Sequence, residues 1–184
     1  MAQPLVKPCS KEKSSAALLV VATVISLQTT PYLLIATLLF LPLLDRRWRP
    51  PTIPRHPYSI VASLIILVIG VCLVVTHPDH MNFALAALLW AALPEEWFFR
   101  AYFMERVGQG WRANLIASLL FSLLHGLTRG WAIAVQVFVP SLCYGWLYQR
   151  TRDFPLLVLV HALSNLVFSL YLAQLLDAIW PQSF

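Results

Sequence analysis

Hydrophobic residues in this chain fall in long, nearly unbroken runs separated by short polar punctuation. Residues 1–15 are polar and carry Lys7, Lys11 and Lys13. Residues 16–44 form one apolar stretch, interrupted only at Gln28-Thr29-Thr30-Pro31. At ~1.5 Å per residue this stretch would reach about 43 Å, more than a hydrocarbon core of roughly 30 Å. It reads as one tilted, Pro-kinked helix, with a hairpin of two short segments as the alternative. The loop from Asp45 to Arg55 is basic and Pro-rich, and a second span covers 58–76. After the polar turn His77-Pro78-Asp79-His80, a third helix is predicted from Asn82 to Val107, broken by Gly108 and Gly110. A fourth runs from Trp111 to Leu127, and a fifth from Gly130 to Gln149 with Pro140 inside it. Beyond the turn Arg150-Thr151-Arg152-Asp153, the last begins near Phe154, with Pro155 suited to its first turn, and continues to Trp180. The predicted fold is all-α: a polytopic integral membrane helical bundle of about six transmembrane helices. Residues 1–15 form a basic tail, and 16–184 a single transmembrane domain.

Composition supports lipid as the solvent. The chain is 59% hydrophobic and 11% charged, against about 25% charged in soluble domains. Several of its 13 prolines lie inside apolar runs, which membrane helices tolerate because neighbours re-satisfy the freed backbone groups. The net charge of +5 comes mostly from Arg in the loops. In a six-span arrangement Arg46, Arg47, Arg49, Arg55, Arg106, Arg112, Arg150 and Arg152 share one side, which the positive-inside rule makes cytoplasmic, with Arg129 opposite. The Lys-bearing N-terminus would then lie outside, and a hairpin at 16–44 would return it to the Arg-rich side. No basic stripe accompanies a nucleic-acid-binding pattern, so nucleic acid is not an expected partner. Cys9, Cys72 and Cys143 form no CxxC, which indicates neither a disulfide framework nor a zinc knuckle. The expected setting is the lipid bilayer, in a bacterial plasma membrane.

Against this apolar background the third helix is unusual. It holds Glu95, Glu96 and Arg100 in the run Pro94-Glu95-Glu96-Trp97-Phe98-Phe99-Arg100. A charge at mid-membrane costs roughly 2.5–3.5 kcal/mol on insertion scales, so two adjacent carboxylates are not filler. On an α-helix Glu96 and Arg100 are i,i+4 and can pair, whereas Glu95 points about 100° away toward a different neighbour. Glu95 is therefore the candidate general base. The fourth helix carries a polar stripe of Asn114, Ser118, Ser122 and His125, with Phe121 one turn before His125. The last carries His161 and Asn165 on one face. Measured from the presumed cytoplasmic ends, Glu95, His125, His161 and Asn165 lie at roughly 12–21 Å depth, within the central band of the core. Three parts of the chain thus place polar groups at similar depth, as one shared site requires.

A Glu, two His and an Asn suit hydrolysis by an activated water. Glu95 would take the proton, His125 would hold and polarise the water, and His161 with Asn165 would donate to the oxyanion. The sequence holds no HExxH and no Gly-x-Ser-x-Gly elbow. His125, His161 and Glu95 form a His₂Glu set that could bind zinc, but Asn165 is a poor zinc ligand, and the metal-free reading with no cofactor is preferred. A small transporter or proton relay, or a non-enzymatic membrane protein such as a bacteriocin-immunity protein, are the competing classes. No inverted repeat supports transport.

The motifs Glu95-Glu96-Trp97-Phe98-Phe99-Arg100, Phe121-Ser122-Leu123-Leu124-His125 and His161-Ala162-Leu163-Ser164-Asn165 resemble the EExxxR, FxxxH and HxxxN motifs of the CPBP intramembrane protease family, which includes the type II CAAX prenyl endopeptidases. The resemblance covers about residues 82–170. It implies a glutamate-dependent intramembrane endopeptidase with Glu95 as base, His125 as its partner, and His161 with Asn165 as the oxyanion pair. Glu96, Arg100 and Phe121 would be supporting residues. The implied partner is a membrane-associated protein or peptide substrate cut near its C-terminus, at a prenylated CAAX tail, a sorting tail or a processing peptide.

Overall fold

The computed structural model describes residues 31–51, 57–108 and 110–173. Among these, six helices follow one another with no strand between them. They are α1 (Pro31–Phe40), α2 (Pro57–Thr76), α3 (81–107), α4 (Trp111–Arg129), α5 (Trp131–Thr151) and α6 (Phe154–Leu172). The fold is all-α and of the polytopic membrane class. Three helices, α2, α5 and α6, are long and apolar enough to cross a membrane by length and composition. At ~1.5 Å per residue the 20 residues of α2 reach about 30 Å, the thickness of the hydrocarbon core. None of its residues is buried against protein. One face of it packs on α6, and a helix apolar all round with no residue fully buried leaves the rest of its surface for lipid. The predicted boundaries of the second to fifth helices fall within two residues of these. The choice between a kinked helix and a hairpin at 16–44 lies largely outside the described residues, as do the N-terminal tail and 174–180 of the predicted last helix.

Local chemistry explains the helix ends. Gly130 closes α4 at φ 98°, donating its N–H to the Gly126 carbonyl at 3.2 Å; an L side chain would be strained in that conformation. Asp153 caps α6, its Oδ1 accepting from the Leu156 N–H at 2.9 Å, with Pro155 in the first turn. The surprise is α3. It is not uniformly α-helical: π-helical stretches at Ala87–Ala92 and Trp97–Met104 flank the four α-helical residues Leu93–Glu96. Pro94 lacks an N–H, and its ring crowds the preceding turn of an α-helix. The widened turn immediately before it relieves that crowding.

The chain divides into two compact units, with the boundary inside α3 between Glu96 and Trp97. In the first unit, residues 97–107 of α3 pack with α1, α4 and α5. Leu38, Leu41, Phe98, Phe99, Tyr102, Phe121 and Leu124 form its buried apolar cluster. Trp48 lies against that cluster, edge-on to Trp97 at 4.9 Å, with its indole N–H donating to the Ala101 carbonyl at 2.9 Å. Arg106 pairs with Asp45 at 2.7 Å, Tyr148 donates to Glu105 at 3.0 Å, and Gln149 donates to the Gly110 carbonyl at 2.8 Å. These contacts gather the loop after α1, the end of α3, the start of α4 and the end of α5 at one end of this unit. The second unit contains α2, residues 81–96 of α3, and α6.

Candidate active site

The ionisable residues singled out from the sequence are withdrawn from the surface. Glu95 is 8% exposed, Glu96 0%, Arg100 0%, His125 5% and His161 4%. Asn165 is half-buried. In a chain with so few charges, this burial marks structure built around these groups rather than groups left where they fall.

In the second unit, α3 and α6 bring Glu95, Glu96 and His161 together. His161 Nδ1 lies 2.7 Å from Glu96 Oε1. A carboxylate only accepts, so Nδ1 carries the proton and donates it. The short distance is that of a charge-assisted bond. The other ring nitrogen, Nε2, faces Glu95 Oε2 at 3.7 Å, beyond direct hydrogen bonding. One imidazole is thus held at one edge by Glu96 and presents its other edge toward Glu95. Asn165 stands one turn further along α6 on the same face as His161. Within either unit, no three His, Cys, Asp or Glu side chains of the described residues converge as metal ligands.

In the first unit, the remaining motif residues form a second cluster. The polar stripe of α4 is buried, with Ser118 wholly inaccessible. Asn114 donates to the Leu142 carbonyl at 2.9 Å, and Ser118 donates to Asn114 Oδ1 at 3.3 Å. Gly145 makes this approach possible, because a Cβ there would overlap the Asn114 amide. His125 Nδ1 donates to the Phe121 carbonyl at 3.0 Å, which in the neutral ring leaves Nε2 as the basic nitrogen. The Phe121 and His125 rings lie 4.4 Å apart, tilted by 34°. The Arg100 guanidinium sits 4.9 Å from the Phe121 ring centroid, in cation–π range. Arg100 Nη2 donates to both the carbonyl and the hydroxyl of Ser141, at 2.9 Å and 2.7 Å.

The sequence points to Glu95, Glu96, Arg100, Phe121, His125, His161 and Asn165, but not to the bond from His161 to Glu96, 65 residues away. Nor does it point to Ser141, which carries no signal beyond a lone hydroxyl beside Pro140 in an apolar helix.

Comparison with protein-family profiles matches residues 77–167 to the type II CAAX prenyl endopeptidase Rce1-like family. The matched stretch contains all three motifs and both clusters' motif residues. No curated protein and no solved structure matches the chain at the significance required. On the strength of that match, the chain belongs to the CPBP family of CAAX-type intramembrane proteases.

Proposed function

We propose that this protein hydrolyses a peptide bond near the C-terminus of a membrane-associated protein, using a water activated by Glu95. The observation that carries this reading is the buried Glu96–His161–Glu95 arrangement: an imidazole fixed at 2.7 Å by one carboxylate, with its far nitrogen turned 3.7 Å from a second. In the proposed step Glu95 accepts a proton from water as the hydroxide adds to the scissile carbonyl carbon. His125, in the first unit, is given its part in the hydrolysis by its motif. The oxyanion that forms takes hydrogen bonds from His161 Nε2–H and the Asn165 amide. Since Nδ1–H is committed to Glu96, donation from Nε2 requires the imidazolium, whose charge the two carboxylates offset. Collapse of the intermediate breaks the C–N bond, and the proton on Glu95 passes to the leaving amine. No covalent enzyme intermediate and no metal are needed.

The name of the matched family makes a prenylated peptide ending in a CAAX tail the first substrate class to test. The full-length protein in liposomes, offered such a peptide carrying a quenched fluorophore pair, is expected to cleave it. A sorting tail or processing peptide is the substrate to try next if the CAAX peptide is left intact. Wild-type turnover by Glu95→Ala protein that is still folded would end the general-base reading.

A further inference from the structure

Ser141 lies in the middle of α5, directly after Pro140, and is wholly buried. It belongs to none of the three motifs, yet both of its oxygens accept from Arg100 Nη2. A guanidinium is planar and its donors point in fixed directions, so anchoring one end fixes where the plane lies. That plane sits 4.9 Å over Phe121, whose ring lies 4.4 Å from His125 and whose carbonyl holds His125 Nδ1–H at 3.0 Å. Ser141, Arg100, Phe121 and His125 are all buried in the first unit. They form one column running from α5 through α3 to α4. Each contact restricts the next: the hydroxyl the cation, the cation the ring, and the ring the imidazole.

We propose that Ser141 is a positioning residue for His125, acting through Arg100 and Phe121 to keep the imidazole in its Nδ1–H tautomer with Nε2 as the basic edge. This inference rests on the reading that His125 acts in hydrolysis. A purely structural role, satisfying a buried cation, would affect stability but not the state of His125.

The test uses full-length protein in detergent micelles, labelled with ¹⁵N-histidine, as wild type, Ser141→Ala, Ser141→Thr and Ser118→Ala. His125→Gln assigns the signal and serves as the activity control. Ser118→Ala also deletes a wholly buried hydroxyl of the same unit, one bonded to Asn114. Wild type is expected to show a single Nδ1–H tautomer at His125. Ser141→Ala should show mixed tautomers, with kcat on the prenylated CAAX peptide falling on the order of ten- to a hundredfold and KM little changed. Ser141→Thr should restore both. Ser118→Ala should lower thermal stability while leaving the His125 signal and kcat as in wild type. Should Ser141→Ala fail to fold, Ser141→Cys, similar in size but a weak acceptor, carries the same comparison. An unchanged tautomer and kcat in the folded Ser141 variant overturn the proposal, as does an equal effect of Ser118→Ala. Wild-type turnover by His125→Gln overturns the hydrolytic role of His125 and this inference with it; loss in His125→Gln but not in Ser141→Ala removes the inference alone.

Discussion

Replacing Glu96 with Gln probes the bond to His161. The side chain keeps its shape, and the amide oxygen can still accept from Nδ1–H, so the helices should pack as before. What is lost is charge. A hydrogen bond to a charged group contributes about 1.5–3 kcal/mol and a neutral one about 0.5–1.5 kcal/mol, so the expected loss of stability is about 1 kcal/mol. The effect on turnover should be far larger. The Gln amide can also turn its NH₂ toward Nδ1, which reverses the tautomer of His161. A carboxylate-to-amide change behind the catalytic histidine of serine proteases costs about 10⁴ in kcat by this route. For Glu96→Gln we expect a loss of about 10²–10⁴ in kcat with KM little changed. Glu96→Asp, which keeps the charge but draws it back by one methylene, should fall between. The assay is cleavage of the quenched peptide by protein in liposomes, with thermal unfolding in detergent run in parallel. Turnover of Glu96→Gln within about threefold of wild type, with the fold intact, would refute the argument that this carboxylate sets the state of His161.

Glu95→Gln should abolish cleavage with little change in unfolding temperature, and a zinc chelator should leave the wild type active; chelator-sensitive activity that zinc restores would move the chemistry to a metal site. Asn165→Ala is expected to lower kcat by about 10²–10³, the usual consequence of removing one oxyanion donor, and a change confined to KM would assign Asn165 to substrate binding instead. Gly145→Ala should destabilise the protein by about 1–3 kcal/mol through overlap with Asn114. Adding Asn114→Ala should recover part of that loss in the melting curve, and no recovery would place the strain elsewhere.

The helices were legible because lipid imposes a coarse rule: a span must be long, apolar and internally hydrogen-bonded. The break at Gly108 and the start at Phe154-Pro155 could be read for the same reason, since each is a local matter of φ or capping, whereas Gly130, read as the first residue of α5, instead closes α4. The polar stripe on α4 was legible as a face, and Asn114, Ser118, Ser122 and His125 are all buried. Which partner each polar group takes was not. The His161–Glu96 bond spans 65 residues and the Arg100–Ser141 bonds span 41. Helix packing rather than local spacing decides such pairs. The π-helical stretches of α3 were equally hidden, because a widened turn leaves the hydrophobic pattern of a membrane helix almost unchanged.

Those widened turns mean that the helix keeps time with a deliberate extra beat. Each π turn accommodates a residue that a regular α-helix would not need. Removing one alanine from Ala87–Ala92 would let the ladder close into ordinary α-helix, and by helix propensity alone this would look like a repair. The carboxylates beyond it would keep nearly the same phase about the axis, because the six residues of the wide stretch turn the chain about as far as roughly five would in an α-helix. What would change is the backbone just before Pro94, where the closed turn would again crowd the proline ring. The extra residue therefore serves the proline, and a deletion that perfects the helix would put strain directly beside Glu95 and Glu96.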